Sequence, residues 1–108
     1  MKNQVFHQKI TACVNYQAYR FALPSDLSTA HYQILRQFIA DFGENINPPE
    51  IPVLHILHAH FFIQFPSYGF PYFKVNFYPQ VPLTEVQHYL RLFNNQLHYL
   101  CELKAGHF

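Results

Sequence analysis

From Ile51 to Phe73 the chain carries no lysine, arginine, aspartate or glutamate, yet it holds Pro52, Pro66, Pro71 and the turn-forming Pro66-Ser67-Tyr68-Gly69. A stretch this apolar calls for burial, and the prolines decide in what form. A membrane-spanning helix needs about 20 apolar residues in one uninterrupted helix. Proline lacks the amide that a helix interior or a central sheet ladder requires. What remains is a pair of strands joined by a turn. Apolar side chains at Val53, Leu57, Ala59, Phe61, Ile63 and Phe65 fall on alternate positions, the period of a strand with one buried face. Phe73, Val75 and Phe77 continue the pattern after the turn. The expectation is a hairpin over 53–65 and 71–78 whose odd-numbered residues share the core. The loop length suits a register that sets His58 opposite Tyr78, His60 opposite Asn76 and Phe62 opposite Lys74.

Two helical patterns flank this hairpin. Pro24-Ser25-Asp26 opens the first, with Ser25, Asp26 or Ser28 able to cap an unpaired first-turn amide. Leu27, Ala30, Ile34, Leu35, Phe38, Ile39 and Phe42 recur at helical spacing, and Gly43 supplies a stop. The prolines of Asn47-Pro48-Pro49-Glu50-Ile51-Pro52 make the following segment a loop. A second helix runs from Thr84 to about Leu103, apolar at Leu83, Val86, Leu90, Phe93, Leu97 and Leu100. Tyr89, Leu92, Tyr99 and Leu103 broaden that stripe, so one side packs on the sheet and another can meet a neighbour.

Residues 9–21 alternate as well. Ile10, Ala12, Val14, Tyr16 and Ala18 lie on one side, and Lys9, Thr11, Cys13, Asn15, Gln17 and Tyr19 on the other. A half-buried strand fits this period, and a helix is the competing reading. The order β-α-β-β-α defines an α+β chain, residues 1–108 forming one domain. The expected architecture is a two-layer sandwich of truncated ferredoxin-like form, with both helices on one face of a three-stranded sheet. The crossover rule sets the first strand beside the third. The opposite face is then open, and it is expected to carry Lys9, Thr11, Cys13, Asn15, Gln17, Tyr19, His58, His60, Gln64, Tyr72, Lys74, Asn76 and Tyr78.

Composition narrows the function classes. Half of the 108 residues are hydrophobic, 19% are aromatic and 12% are charged, which leaves some Phe and Tyr exposed or held in an interface. A net charge of +1 supplies no basic field for nucleic acid, which disfavours that partner. Eight histidines make acid sensitivity an expectation. Cys13 and Cys101 form no metal or redox motif, and whether they pair stays open. The first residues, MKNQVFHQKI, lack the apolar core of a signal peptide, so a soluble cytoplasmic chain is expected. Three scattered glycines exclude a phosphate loop, and no G-x-S-x-G elbow or clustered acid pair occurs.

The densest chemical signal is His55-x-x-His58-x-His60. In one continuous strand His58 and His60 share the open face while His55 points to the core. That leaves two ligands roughly 6–7 Å apart, short of the set that zinc needs. His88 and His98 cannot complete it, because ten helical residues separate them by about 15 Å. His58-Ala59-His60, followed by a helix bearing tyrosines, resembles the HUH endonucleases, which nick single-stranded DNA. The resemblance implies that His58 and His60 hold a divalent metal and that Tyr89 or Tyr99 attacks the phosphate. Leu103 stands where that family places a lysine four residues after the tyrosine, here Tyr99. The reading the residues favour is a cofactor-free, non-enzymatic interaction module of the inhibitor, adaptor or immunity kind. It binds another protein, or itself as a homodimer, through His58, His60, Tyr19, Tyr72, Lys74, Asn76 and Tyr78 or through the broad second helix. A single nucleic-acid strand stacked on Tyr19, Tyr72 and Tyr78 is the remaining alternative.

Overall fold

Alternating segments become strands more often, and in shorter pieces, than the pattern alone indicates. The computed structural model describes residues 5–10 and 17–104, and of Lys104 the backbone only. In chain order the elements are β1 His7–Ile10, β2 Gln17–Ala22, α1 Thr29–Ala40, β3 Glu44–Asn45, β4 Leu54–Leu57, β5 Phe61–Phe65, β6 Tyr72–Phe77 and α2 Leu83–Lys104. The strands form a single sheet ordered β1-β2-β6-β5-β4-β3, antiparallel at every pairing. The α+β class stands. The expected three-stranded sheet is replaced by one of six strands.

The added strands have local causes. Residues 53–65 turn back on themselves, and the His58 N–H donates to the Phe61 carbonyl at 2.9 Å to close the β4–β5 connection. Leu54 pairs with Phe65 and Ile56 with Ile63, so even residues of β4 stand opposite odd residues of β5. Side-chain direction has a period of two, and this pairing reverses which parity of β4 is buried. Leu54 and Ile56 enter the core, whereas Val53 and Leu57, expected there, are 37% and 38% exposed. In β2 the expected facing is also reversed. Phe21 stacks on Phe73 at 4.9 Å and Tyr19 meets Phe77 edge-on at 5.9 Å, which turns Ala18 and Arg20 outward. Burying the two rings outweighs burying Ala18 on the core side. Thr11, Cys13 and Asn15 lie outside the described residues.

Other features follow the pattern closely. β2 lies beside β6, as expected for the first and third strands. Phe62 pairs with Asn76 and Gln64 with Lys74, two residues away from the expected register. A slip of two preserves parity, so Phe61, Ile63, Phe65, Phe73, Val75 and Phe77 all reach the core. In α2, Val86, Leu90, Phe93, Leu97 and Leu100 are buried, while Leu83 is exposed. The ring of Phe93 meets Phe21, Phe61 and Phe73 of the sheet and Phe38 and Phe42 at the end of α1. Tyr32 of α1 stacks on Phe65 and donates to the Pro66 carbonyl at 2.6 Å. Both helices thus lie on the same face.

Two polar devices close the fold. Ser28 caps α1 by accepting the His31 N–H at 3.0 Å. Asn94 of α2 holds the start of the chain: its Oδ1 accepts the Phe6 N–H at 2.7 Å, and its Nδ2 donates to the Leu90 carbonyl at 2.8 Å. Gly43 ends the helical region for a reason other than capping alone. A β-carbon there would run into the Leu57 carbonyl oxygen, beside the β3–β4 pairing. Gly43→Ala is therefore expected to destabilise the chain by about 1–3 kcal/mol, since backbone must shift to admit the methyl. A urea titration checks this through a lower midpoint at unchanged slope.

Candidate functional site: an open sheet face and a histidine turn

With both helices on one side, the other side of the sheet presents side chains in rows that run across the strands. One row is Gln8, Arg20, Lys74, Gln64 and His55, each directly opposite the next. At about 4.8 Å between strands it spans roughly 19 Å. The neighbouring row is Ile10, Ala18, Asn76, Phe62, Leu57 and Glu44, apolar except at Asn76 and its outer end. A polar band and an apolar band thus lie side by side.

Arg20 and Lys74 are cross-strand partners, and like charges placed directly opposite are destabilising. The Arg20 guanidinium lies over the Tyr72 ring, 4.9 Å from its centroid, and donates to Gln8 Oε1 at 3.2 Å. Neither contact supplies a negative charge. Of the six acidic residues, Asp26, Asp41, Glu44, Glu50, Glu85 and Glu102, only Glu44 is on a strand. It sits in β3, three strands from β6, or about 14 Å away. At that distance over an exposed surface its attraction is largely screened. A hollow of about 340 Å³ adjoins Lys74, lined by Val53, Gln64, Phe70 and Tyr72 among others. Phe70 meets Tyr72 edge-on at 4.8 Å, and His55 lies 5.2 Å from the Phe62 ring.

Tyr72, Lys74 and Asn76, named from the sequence, share this face. Asn76 is mostly spent internally: its amide donates to the Phe62 carbonyl and to Gln64 Oε1, both at 3.4 Å. Tyr19 is not on the face, being 8% exposed on the helix side. Tyr78 follows the end of β6, half-buried and 6.2 Å from Phe62. His58 and His60 leave the strand altogether and occupy the β4–β5 turn, whereas His55, expected inward, faces outward beside Phe62. The same phase reversal that exposes Leu57 moves all three histidines. Gln64 is on the face as expected, whereas Arg20 and Phe70 belong to it and were missed.

The turn makes a site of its own. The His60 N–H donates to His58 Nδ1 at 3.0 Å, so the His58 ring is an acceptor there and carries its proton on Nε2. That ring stacks on Phe61 at 4.2 Å, and Tyr89 of α2 meets it edge-on at 5.4 Å. Tyr89 Oη lies 3.4 Å from His60 Nδ1, a long hydrogen bond that the phenol donates when His60 is protonated on Nε2. The fold therefore joins His58, His60 and Tyr89, and leaves Tyr99 46% exposed, about 15 Å further along the helix. Burial, reinforced by His60, holds His58 below the usual histidine pKa. Burial, reinforced by Glu85, raises the Tyr89 phenol above its usual value. A phenol held protonated is a poor nucleophile, and His58 Nδ1 is already occupied. Among the described residues no three His, Cys, Asp or Glu side chains are grouped to hold a metal ion.

These features define an α+β protein with a one-sided antiparallel sheet. No family model, curated protein or solved structure matches the chain. No helix among the described residues is long and apolar enough to cross a membrane.

Two histidines connect this geometry to pH. His7 and His58 are both held below the ordinary histidine pKa, chiefly by burial. Below about pH 6.5 the unfolded chain therefore takes up protons that the native state resists, and stability falls as pH falls. The melting temperature is expected to be lower at about pH 5.5 than at about pH 7.5, with a narrower gap in the His7→Gln/His58→Gln double variant. Thermal unfolding followed by circular dichroism at the two pH values checks it, and an unchanged gap in the variant would assign the acid sensitivity elsewhere.

Proposed function

We propose that the chain is a non-enzymatic binding module that docks a protein partner on the open face of its sheet. The observation that carries this reading is the Arg20–Lys74 pair, two half-buried cations side by side across β2 and β6, with no acidic residue on β1, β2, β4, β5 or β6. A partner that sets an aspartate or glutamate between them removes the repulsion and gains charge-assisted hydrogen bonds. The apolar row beside the pair, with Phe62 and Leu57, favours a carboxylate flanked by apolar side chains, as a protein surface offers. A nucleic-acid strand presents an unbroken series of phosphates, and two fixed cations match it poorly. Two copies meeting through this face would bring two such cation pairs into one interface. Self-association belongs instead to the outer side of α2, where exposed Leu92 and Tyr99 stand one heptad apart.

The endonuclease-like alternative has in its favour only that His58, His60 and Tyr89 meet at one end of the molecule. The raised phenol and the hydrogen-bonded His58 weigh against it.

Wild-type and Lys74→Glu chains, used as baits side by side in native lysate, test the proposal. A protein held by the wild type and lost on charge reversal is the expected result, with purified partner binding at least about tenfold more weakly to the variant. The same proteins on both baits, or nucleic acid as the material retained, would overturn it.

A further inference from the structure

On the helix side, α2 does not close fully over the β1–β2 edge. The cleft left there has a volume of about 660 Å³, within the ~300–1,000 Å³ range of small-molecule sites. Arg91, His7 and His98 line it together with the carboxamides of Gln87, Asn94 and Asn95, and no aspartate or glutamate does. Val5, Leu83 and Leu90 supply an apolar wall.

The hydrogen bonding fixes what His7 offers. Asn94 Oδ1 accepts the Phe6 N–H, so its amide nitrogen is the atom 2.8 Å from His7 Nδ1. Nδ1 is then an acceptor, and neutral His7 carries its proton on Nε2. The imidazole is thus a donor without being charged. One guanidinium, the carboxamides of Gln87 and Asn95 and a donor-oriented histidine, with no competing carboxylate, describe a pocket for negative charge, while the Asn94 amide is spent on holding His7 and the start of the chain.

We propose that this cleft binds a small organic anion, its carboxylate or phosphate end met by Arg91 and the neighbouring donors and its apolar body resting on Val5, Leu83 and Leu90. The site lies on the opposite side of the sheet from the protein-docking face and does not depend on it.

Phenyl phosphate is the probe, with inorganic phosphate and phenol as its two halves, titrated into the isotope-labelled 108-residue chain by NMR. Saturable shifts in the side-chain amide signals of Asn94 and Asn95 are expected, with either half binding more weakly than the whole. Arg91→Ala should weaken binding about tenfold, since a charge-assisted contact is lost from an exposed residue that the core does not need. Asn95→Asp, which adds a carboxylate to the cleft, should weaken it too, while Lys74→Glu on the other face should leave it unchanged. Absence of saturation at those amides, equal affinity in Arg91→Ala, or phenol or inorganic phosphate binding as tightly as phenyl phosphate would each overturn the proposal.

Discussion

The structure depends on one aromatic junction. Phe93, near the middle of α2, contacts three rings of the sheet and two at the end of α1. Each contact adds roughly 0.5–1.5 kcal/mol to the area it buries, and together they hold both helices to one side. Neither helix lies on the opposite side, where Ala18 and Asn76 are nonetheless buried. The open face follows from where the large side chains are satisfied, and its row of Gln8, Arg20, Lys74, Gln64 and His55 follows from having to meet solvent.

How much of this was legible depends on where each strand keeps its phase. β6 is a continuous strand, and its alternation placed Phe73, Val75 and Phe77 inward and Tyr72, Lys74 and Asn76 outward without ambiguity. Even a register error of two residues left those assignments intact. The segment 53–65 reads as one long alternating strand because Leu57, Ala59 and Phe61 keep the period across the turn. No glycine, proline or asparagine marks the turn, and the residues that form it are the histidines that drew attention as chemistry. In β2, Tyr19 and Phe21 carried a usable signal. Two aromatics two apart outrank alanines in the competition for the core, and giving them that weight would have turned Arg20 outward.

The histidine turn therefore has a structural account. Without a residue suited to tight turns, the chain uses His58 Nδ1 to accept the His60 amide and the His58 ring to cover Phe61. Tyr89 completes the enclosure and fixes the β4–β5 turn to α2. The grouping that resembles a metal-and-tyrosine site is held by contacts that lower the basicity of its histidine and raise the pKa of its phenol. The raised phenol runs against the role of an ionisable nucleophile, and His58 Nδ1 is already engaged by the His60 amide.

Electrostatics separates the two sides more sharply than hydrophobicity does. Arg20 and Lys74 could have been placed beside any of six carboxylates, yet those all lie in loops, helices or the outermost strand. Cross-strand like charges cost about 0.2–1 kcal/mol, a small penalty for the fold but one that any docked carboxylate reverses. On the helix side Asn94 produces a related asymmetry by using its whole amide on Phe6, Leu90 and His7. That amide commits His7 to a donor role beside Arg91. The sheet separates the two positive surfaces by the thickness of a packed layer, about 10 Å, or one Debye length at moderate salt. Charge placed on one is therefore partly screened from the other.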